Sequence, residues 1–544
     1  MERRIIVFLV LSLTIIIAYP VFLEKFAPQG TGSPKVTLSP KGTLPQMAET
    51  SALGKNAVSS ELTTITPAAG MTVSPSGPAT PVVTKVIEGD LYRVVLSSHG
   101  GTITEWTLKK YTKKDDKGIE EPIQLIQKMG KMAPLSVMVS GNAAFTNLTY
   151  SLDETPVRLS KLKPTETVTM KTTNAAGQTL TKTLTFHHDQ YHADIRIETD
   201  ALKEGYQLSL GSNFGINNWT EAFGGAIGSV NMVNGALVAE NPEETDITYE
   251  TGVTWFGLMD KYYMSALIPN SDGLKVTVQG ISKTEVAAAI SVPGQSARTA
   301  QFVLYAGPKE YDRLSSYNKY LEESIDFGWF IFGSLLPVRL VAKPLFYVLR
   351  FIYSLTENYG IAIILLTIFV KVLFHPITKK GLTSMKQMAS LQPKVNAIKE
   401  KWSDNKERMN KELMNLYKET GINPFGGCLP MLLQMPVFVA LFNVLYVTID
   451  LKGAPFMLWI ADLSDKDPYY VLPIIMGATM IIQQMTQPSA MDPMQAKIML
   501  FMPVIYTFFF LSFPSGLVLY WLVNNLLSIA QQYWINKQTA VTVT

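Results

Sequence analysis

Two spacings of apolar residues divide the chain. Between residues 82 and 325, short runs alternate apolar and polar positions, as at 92–97, 167–172, 179–186 and 191–198. They are rich in Thr, Val and Ile, and Gly, Asn and Asp separate them. Side chains of a strand point to opposite faces in turn, so period two predicts half-buried strands. Many such strands joined by turns predict a large antiparallel sandwich. From residue 360 onward the apolar positions become continuous, in blocks at 360–377, 429–447, 470–486, 498–513 and 515–535. Each approaches the roughly 20 residues that cross a bilayer as helix. Residues 5–23 form another such block behind Arg3 and Arg4, with no small-residue cleavage pattern after it. That block predicts a retained signal anchor and brings the expected spans to six.

The intervening segments have their own patterns. Residues 26–81 are rich in Pro, Gly, Ser and Thr and poor in aromatics, the composition of a flexible tether. Residues 326–357 are apolar but carry Arg339, Lys343 and Arg350. At 100° per residue those three share a narrow arc, which predicts an amphipathic helix lying in the membrane interface. In the loop 378–428, Met409, Leu413 and Leu416 make a helical stripe, and Asp404 with Glu407 has the form of an N-cap. A helical hairpin is expected there, either simply solvated or serving as a docking arm.

Charge sets the orientation. The loop 378–428 holds ten Lys/Arg against five Asp/Glu, and 448–470 holds two Lys against four Asp. By the positive-inside rule the first loop is cytoplasmic and the second outside. Arg3 and Arg4 give the same sense, with both termini inside and residues 26–357 periplasmic. The net charge of +3 over 544 residues gives no sign of a nucleic-acid partner. A single cysteine, Cys428, excludes an intramolecular disulfide.

Enzymatic signatures are sparse. No phosphate-binding loop and no H-E-x-x-H motif occurs. His187, His188 and His192 cluster at a predicted strand turn with only Asp189 as an acidic companion, and neither a metal nor a cofactor is expected. The informative polar residues lie within the apolar blocks. Lys371 sits in the second expected span, where a mid-membrane lysine costs about 2.5–3.5 kcal/mol unless it faces protein or water. Snorkelling to the interface is the other reading. Thr367 lies one turn earlier on the same face. Trp521, Asn525, Ser528 and Gln532 form a stripe in the last span, widened by Asn524 and Gln531, and Thr479, Gln483 and Thr486 form another. Interhelical hydrogen bonds would satisfy some of these groups, and a hydrated groove would satisfy more. One intramembrane cation without a carboxylate is poor equipment for proton-coupled transport.

These features are joined by longer motifs. Asn423-Pro424-Phe425-Gly426-Gly427-Cys428-Leu429-Pro430 with Gln434-Met435-Pro436, Asp492-Pro493-Met494-Gln495, Phe501-Met502-Pro503 and Phe513-Pro514-Ser515-Gly516-Leu517 resemble segments of the YidC/Oxa family of bacterial membrane insertases. Trp255-Phe256-Gly257 with Tyr262-Tyr263 resembles a stretch of that family's periplasmic domain. The resemblance is dense from 328 to 532, looser over 82–324 and absent in the tether. It implies a six-span α-helical polytopic inner-membrane protein of the Gram-negative type, with an all-β periplasmic supersandwich and a cytoplasmic helical hairpin. It further implies a hydrophilic groove open to cytoplasm and lipid. Lys371 would be the groove cation, where many relatives carry arginine, and losing the planar fork puts bidentate capture of a carboxylate in doubt. Thr367 and Trp521 would be groove positions, and Asp404 a functionally sensitive hairpin acid. The tail 537–544 carries only Lys537, so the basic ribosome-binding tail of some relatives is missing.

The expected organisation is therefore an anchor (1–25), tether (26–81), β-sandwich (82–325), interface helix (326–357), five-span core (358–536) containing the hairpin 378–428, and a tail (537–544). The expected function is insertion and folding of nascent membrane proteins, alone or with the Sec translocon, in contact with lipid and weakly with the ribosome. Expected groove residues are Lys371, Thr367, Trp521, Asn525, Ser528, Gln532 and Gln483. The rival readings are a secondary transporter and a membrane-anchored carbohydrate enzyme that would need a carboxylate pair lining a pocket.

Overall fold

The structure, a computed structural model, describes residues 37–38, 81–114, 119–126, 130, 132–139, 145–200, 202, 204–217, 219, 227–240, 246–325, 327, 336–421, 429–486 and 493–541. The expected anchor, all of the tether save Thr37–Leu38 and Pro81, and the motif residues 423–428 and 492 lie outside them. The chain divides into two compact units at Ile325/Asp326.

The unit ending at Ile325 is built of sheets. One has nine strands, in the order 37–38, 236–240, 228–233, 253–259, 263–269, 299–308, 192–199, 179–187, 165–173. All its pairings are antiparallel except that of Thr37–Leu38 with Val238–Ala239. Two five-stranded sheets accompany it. The alternation read from the sequence is realised as burial. In Thr179–His187 the even positions Leu180, Lys182, Leu184 and Phe186 are buried and the odd ones are not. Trp106, from a five-stranded sheet, stacks on Tyr92 at 5.3 Å and meets Phe186 of the nine-stranded sheet and Phe214. Aromatic pairs at such spacings add about 0.5–1.5 kcal/mol each beyond their area burial.

Lys182 breaks the apolar alternation. Its ammonium donates to the carbonyls of Gly100 (2.8 Å), Gly101 (2.9 Å) and Leu135 (2.7 Å) and lies 4.6 Å from the centre of the Tyr150 ring. Gly100 and Gly101 have φ of 68° and 56°, a turn that glycine makes without strain. A cavity in this unit is lined by Met132, Met138, Gln207, Thr277, Gln279 and Ala287–Ala289. Among the described residues its lining includes no carboxylate.

The sheet unit also holds a short helix, α1 (Tyr311–Ser316). The second unit contains α2 (Leu336–Thr356), α3 (Tyr359–Ser390), α4 (Gln392–Lys401), α5 (Lys406–Glu419), α6 (Leu429–Val447), α7 (Val471–Thr486), α8 (Pro493–Phe510) and α9 (Ser515–Val541). Among the described residues, α3 is the one helix long and apolar enough to cross a membrane by the combined test of length and hydropathy; Met435–Val447, Val471–Thr486 and Met499–Phe510 are shorter apolar helices. On α2, Leu340, Tyr347, Phe351 and Leu355 are exposed along one face, while Val338, Ala342, Phe346 and Leu349 are buried. The unexposed side is tied down by Arg350, 3.8 Å from Asp450. Tyr353 at its end stacks on Tyr359 at 3.8 Å. The α3 N-terminus is capped by Asn358, which accepts from the Ile361 amide at 3.1 Å.

The α4–α5 turn corrects one expectation. The N-cap of α5 is Asn405, whose side chain accepts from Arg408 N at 3.0 Å, and not Asp404. Asparagine caps as well as aspartate does, and Asn405 is the residue positioned three before a free helical amide. Asp404 is left exposed in the turn. Arg408 also covers the Trp402 ring at 4.2 Å.

Candidate functional site

Three helices supply the polar side chains. On α3, Thr367 is buried and returns its hydroxyl to the Ile363 carbonyl at 2.6 Å. One turn on, the half-buried Lys371 donates to Ser528 Oγ of α9 at 2.7 Å. Ser528 passes its own hydrogen to the Asn524 carbonyl at 2.7 Å. A second rung follows at His375, whose Nδ1 is 2.8 Å from Gln531 Nε2 and whose ring is 5.7 Å from Trp534. The rungs repeat at i,i+4 on α3 and i,i+3 on α9, the spacings that share a helix face.

The other edge of the α9 stripe turns to α7. Buried Asn525 donates to Thr479 Oγ1 at 3.3 Å, and buried Gln532 to the Thr486 carbonyl at 2.6 Å. Gln483 lies between those two on α7. It is half-buried, and its amide has no hydrogen-bond partner among the described residues. Trp521 begins the stripe amid aromatics, edge-on to Phe438 of α6 at 4.8 Å and to Phe510 of α8 at 4.7 Å, with Tyr506 at 6.4 Å.

The structure thus joins Lys371 to Ser528, Asn525 to Thr479 and Gln532 to Thr486, and places Gln483 within this α7–α9 seam. Thr367 stays on α3 without reaching across, and Asp404 belongs to the α4–α5 turn. Direct interhelical bonds satisfy much of the α9 arc. The ammonium is the exception. It offers three N–H donors, and among the described residues Ser528 takes one. The sequence reading missed His375, although its place one turn beyond Lys371 was a usable signal. It also missed the aromatic surround of Trp521, which assembles from two other helices, α6 and α8, and has no local signature.

A β-sheet-rich unit followed by apolar helices, with a polar seam that holds one lysine among the described residues, is the organisation expected of a membrane-embedded protein that carries a large extramembrane β domain. Residues 351–542 match the family described as 60Kd inner membrane protein, and residues 84–348 match the YidC periplasmic domain. The membrane protein insertase YidC of Geotalea daltonii is 36% identical over 99% of this chain and 99% of its own length. That of Oleidesulfovibrio alaskensis is 38% identical over 83% of this chain and 86% of its own. A crystal structure of an active YidC insertase with its first transmembrane domain resolved is 18% identical, with TM-score 0.37, covering 83% of this chain and 94% of that one. The chain belongs to the YidC family of membrane protein insertases. It is an inner-membrane protein with a periplasmic domain, and its function is the insertion of membrane proteins.

Proposed function

We propose that insertion runs along the polar seam of α3, α7 and α9, which opens into a hydrated groove when a client engages it. The observation that carries this reading is the unfilled valence of Lys371. A half-buried ammonium with one protein hydrogen bond among the described residues has two donors left for water or for an acidic client segment. The bonds of Asn525 and Gln532 are amide contacts between helices, worth about 0.6 kcal/mol on average in membranes. They are weak enough to exchange for client backbone or water.

In this scheme the polar tail of a client enters the seam without full dehydration, and Lys371 attracts its acidic residues. The client's apolar span then slides into lipid, driven by its own burial. The membrane potential assists, at about 2.3 kcal/mol per negative charge moved outward through 100 mV. Helices α3 and α6–α9 together with residues 1–25 make six spans. Both termini and the α4–α5 pair are cytoplasmic, and residues 26–357 are periplasmic. On this arrangement α2 lies in the interface against lipid, and Asp404 is presented at the tip of a cytoplasmic hairpin. The hairpin docks the ribosome weakly, and the protein works alone or beside the Sec translocon. No Asp or Glu occurs in α3 or α6–α9, which favours passive assistance over coupled solute transport.

Photo-crosslinkers placed at 483 and 528 should capture a stalled client with an acidic tail, whereas one at the outward-facing Phe508 should capture it only after the client's span has left the seam. Equal early capture at all three positions would refute the seam as the path.

A further inference from the structure

The strand pair 179–187 and 192–199 brings together three ligating side chains that the sequence reading had not grouped. One step beyond the Ala193–Phe186 pair of this antiparallel ladder, His192 stands opposite His187, with ring centres 4.6 Å apart. Asp194 lies two residues along the same strand and therefore on the same face. Its Oδ2 is 2.8 Å from His187 Nε2. One donor atom from each of the three lies within 4.8 Å of the others.

The backbone beneath them is held. The Tyr92 hydroxyl donates to the His187 carbonyl at 2.8 Å and accepts from the His187 amide at 3.2 Å. The Tyr191 carbonyl accepts from Ala306 N at 2.9 Å. His192 has an orienting partner as well, since its Nδ1 is 2.7 Å from the hydroxyl of Tyr317, just after α1. In the tautomer that donates Nδ1–H to that oxygen, Nε2 presents its lone pair, the arrangement in which metal-bound histidines are steered by an outer hydrogen bond. His188, by contrast, projects to the buried face of the same strand end, 3.7 Å from Asp90.

We propose that His187, His192 and Asp194 form a zinc site at the end of this hairpin. Two imidazoles and a carboxylate are a donor set suited to zinc and unsuited to calcium or magnesium, which prefer oxygen throughout. Zinc bound at about 2.0–2.1 Å from each ligand would bring the donors to about 3.4 Å apart. His187 Nε2 and Asp194 Oδ2, now 2.8 Å apart, would open slightly while the wider donor pairs close, and rotation of the half-exposed His187 and exposed Asp194 side chains supplies that adjustment without moving the strands. Three protein ligands leave a fourth position, which Asp194's exposure turns toward solvent.

The test is zinc titration of the full-length protein in detergent, stripped with chelator and then competed against a chromophoric chelator, with thermal unfolding followed in parallel. Wild type should bind one zinc that the His187→Ala/His192→Ala double variant does not, and zinc should raise the unfolding temperature of wild type alone. Asp194→Asn should weaken binding at least about tenfold, and Tyr317→Phe about 10–100-fold as an orienting partner. His188→Ala should bind as wild type does. Any zinc held by His375 or Cys428 would survive the double variant and so be recognised. Equal stoichiometry and equal thermal shift in wild type and double variant would show a hydrogen-bonded histidine–aspartate cluster and no metal site. Loss of binding in His188→Ala as complete as in the double variant would also overturn the proposal.

Discussion

Lys371 and Ser528 meet across the α3–α9 interface at 2.7 Å, and Ser528 hands its own hydrogen to the Asn524 carbonyl. The hydroxyl therefore accepts from the ammonium while remaining bonded to its own helix. This pairing places the Lys371 ammonium against a neutral partner, and among the described residues no carboxylate pairs with it. A cation held in this way is restrained in position and stays available to an incoming acid.

The restraint should be measurable as coupling. Hydrogen bonds to charged groups contribute about 1.5–3 kcal/mol, of which the membrane setting will return the lower part. Lys371→Met and Ser528→Ala should each lower the unfolding temperature in detergent. The double variant should lose less than the sum, with an interaction energy of about 1 kcal/mol. Strict additivity would mean the two side chains do not meet.

Trp521 should act through its aromatic surround. Removing it strands Phe438 and Phe510, which pack edge-on against it. Trp521→Ala should cost about 2–4 kcal/mol of stability for a half-buried ring, together with client insertion. Trp521→Tyr keeps an aromatic edge and should retain most of both. If Trp521→Ala is fully stable yet inactive, the ring contacts the client and does not support the fold.

The contrast between what the sequence disclosed and what it concealed follows from the range of the interactions. Strand 179–187 was legible because period-two alternation is local, and its even positions are indeed buried. The polar stripe of α9 was legible for the same reason, as a face of one helix. Which neighbour each residue bonds was not legible. Ser528 and Gln531 turn to α3 while Asn525 and Gln532 turn to α7, and a single helix's spacing carries no information about that division. Asp194 was missed as a companion of His187 because only cross-strand register brings them together. The N-cap was misread by one residue because Asp404 and Asn405 are both competent caps and the turn geometry chooses between them.

Orientation can be checked directly. In a Cys428→Ala background, an impermeant thiol reagent applied from the periplasmic side should label a cysteine at 455 and spare one at 405. The reverse labelling would overturn the assignment of the α4–α5 pair to the cytoplasm.

The sheet unit offers a pH test at Lys182. Burial pushes its ammonium down to about 7 from 10.5, outweighing the three carbonyls that hold it. Between those values the unfolded chain keeps a proton that the folded chain gives up, so stability rises with pH across the window. Unfolding of wild type followed from pH 7 to 9 should show this rise. Lys182→Met should abolish it and also lower stability by at least about 2 kcal/mol, because the Gly100, Gly101 and Leu135 carbonyls lose their donor. A pH slope that persists in Lys182→Met would assign it to another group.

A charge series at Lys371 shows whether the charge there acts on clients. Purified variants in liposomes would be given paired clients differing only in an acidic or neutralised tail. Lys371→Arg should retain insertion of the acidic-tail client, Lys371→Ala should reduce it, and Lys371→Glu should be worst, since it repels the tail across a weakly screened path. The neutralised client should respond least. Equal insertion of the acidic-tail client by Lys371→Glu and wild type would mean that the Lys371 charge plays no part in insertion.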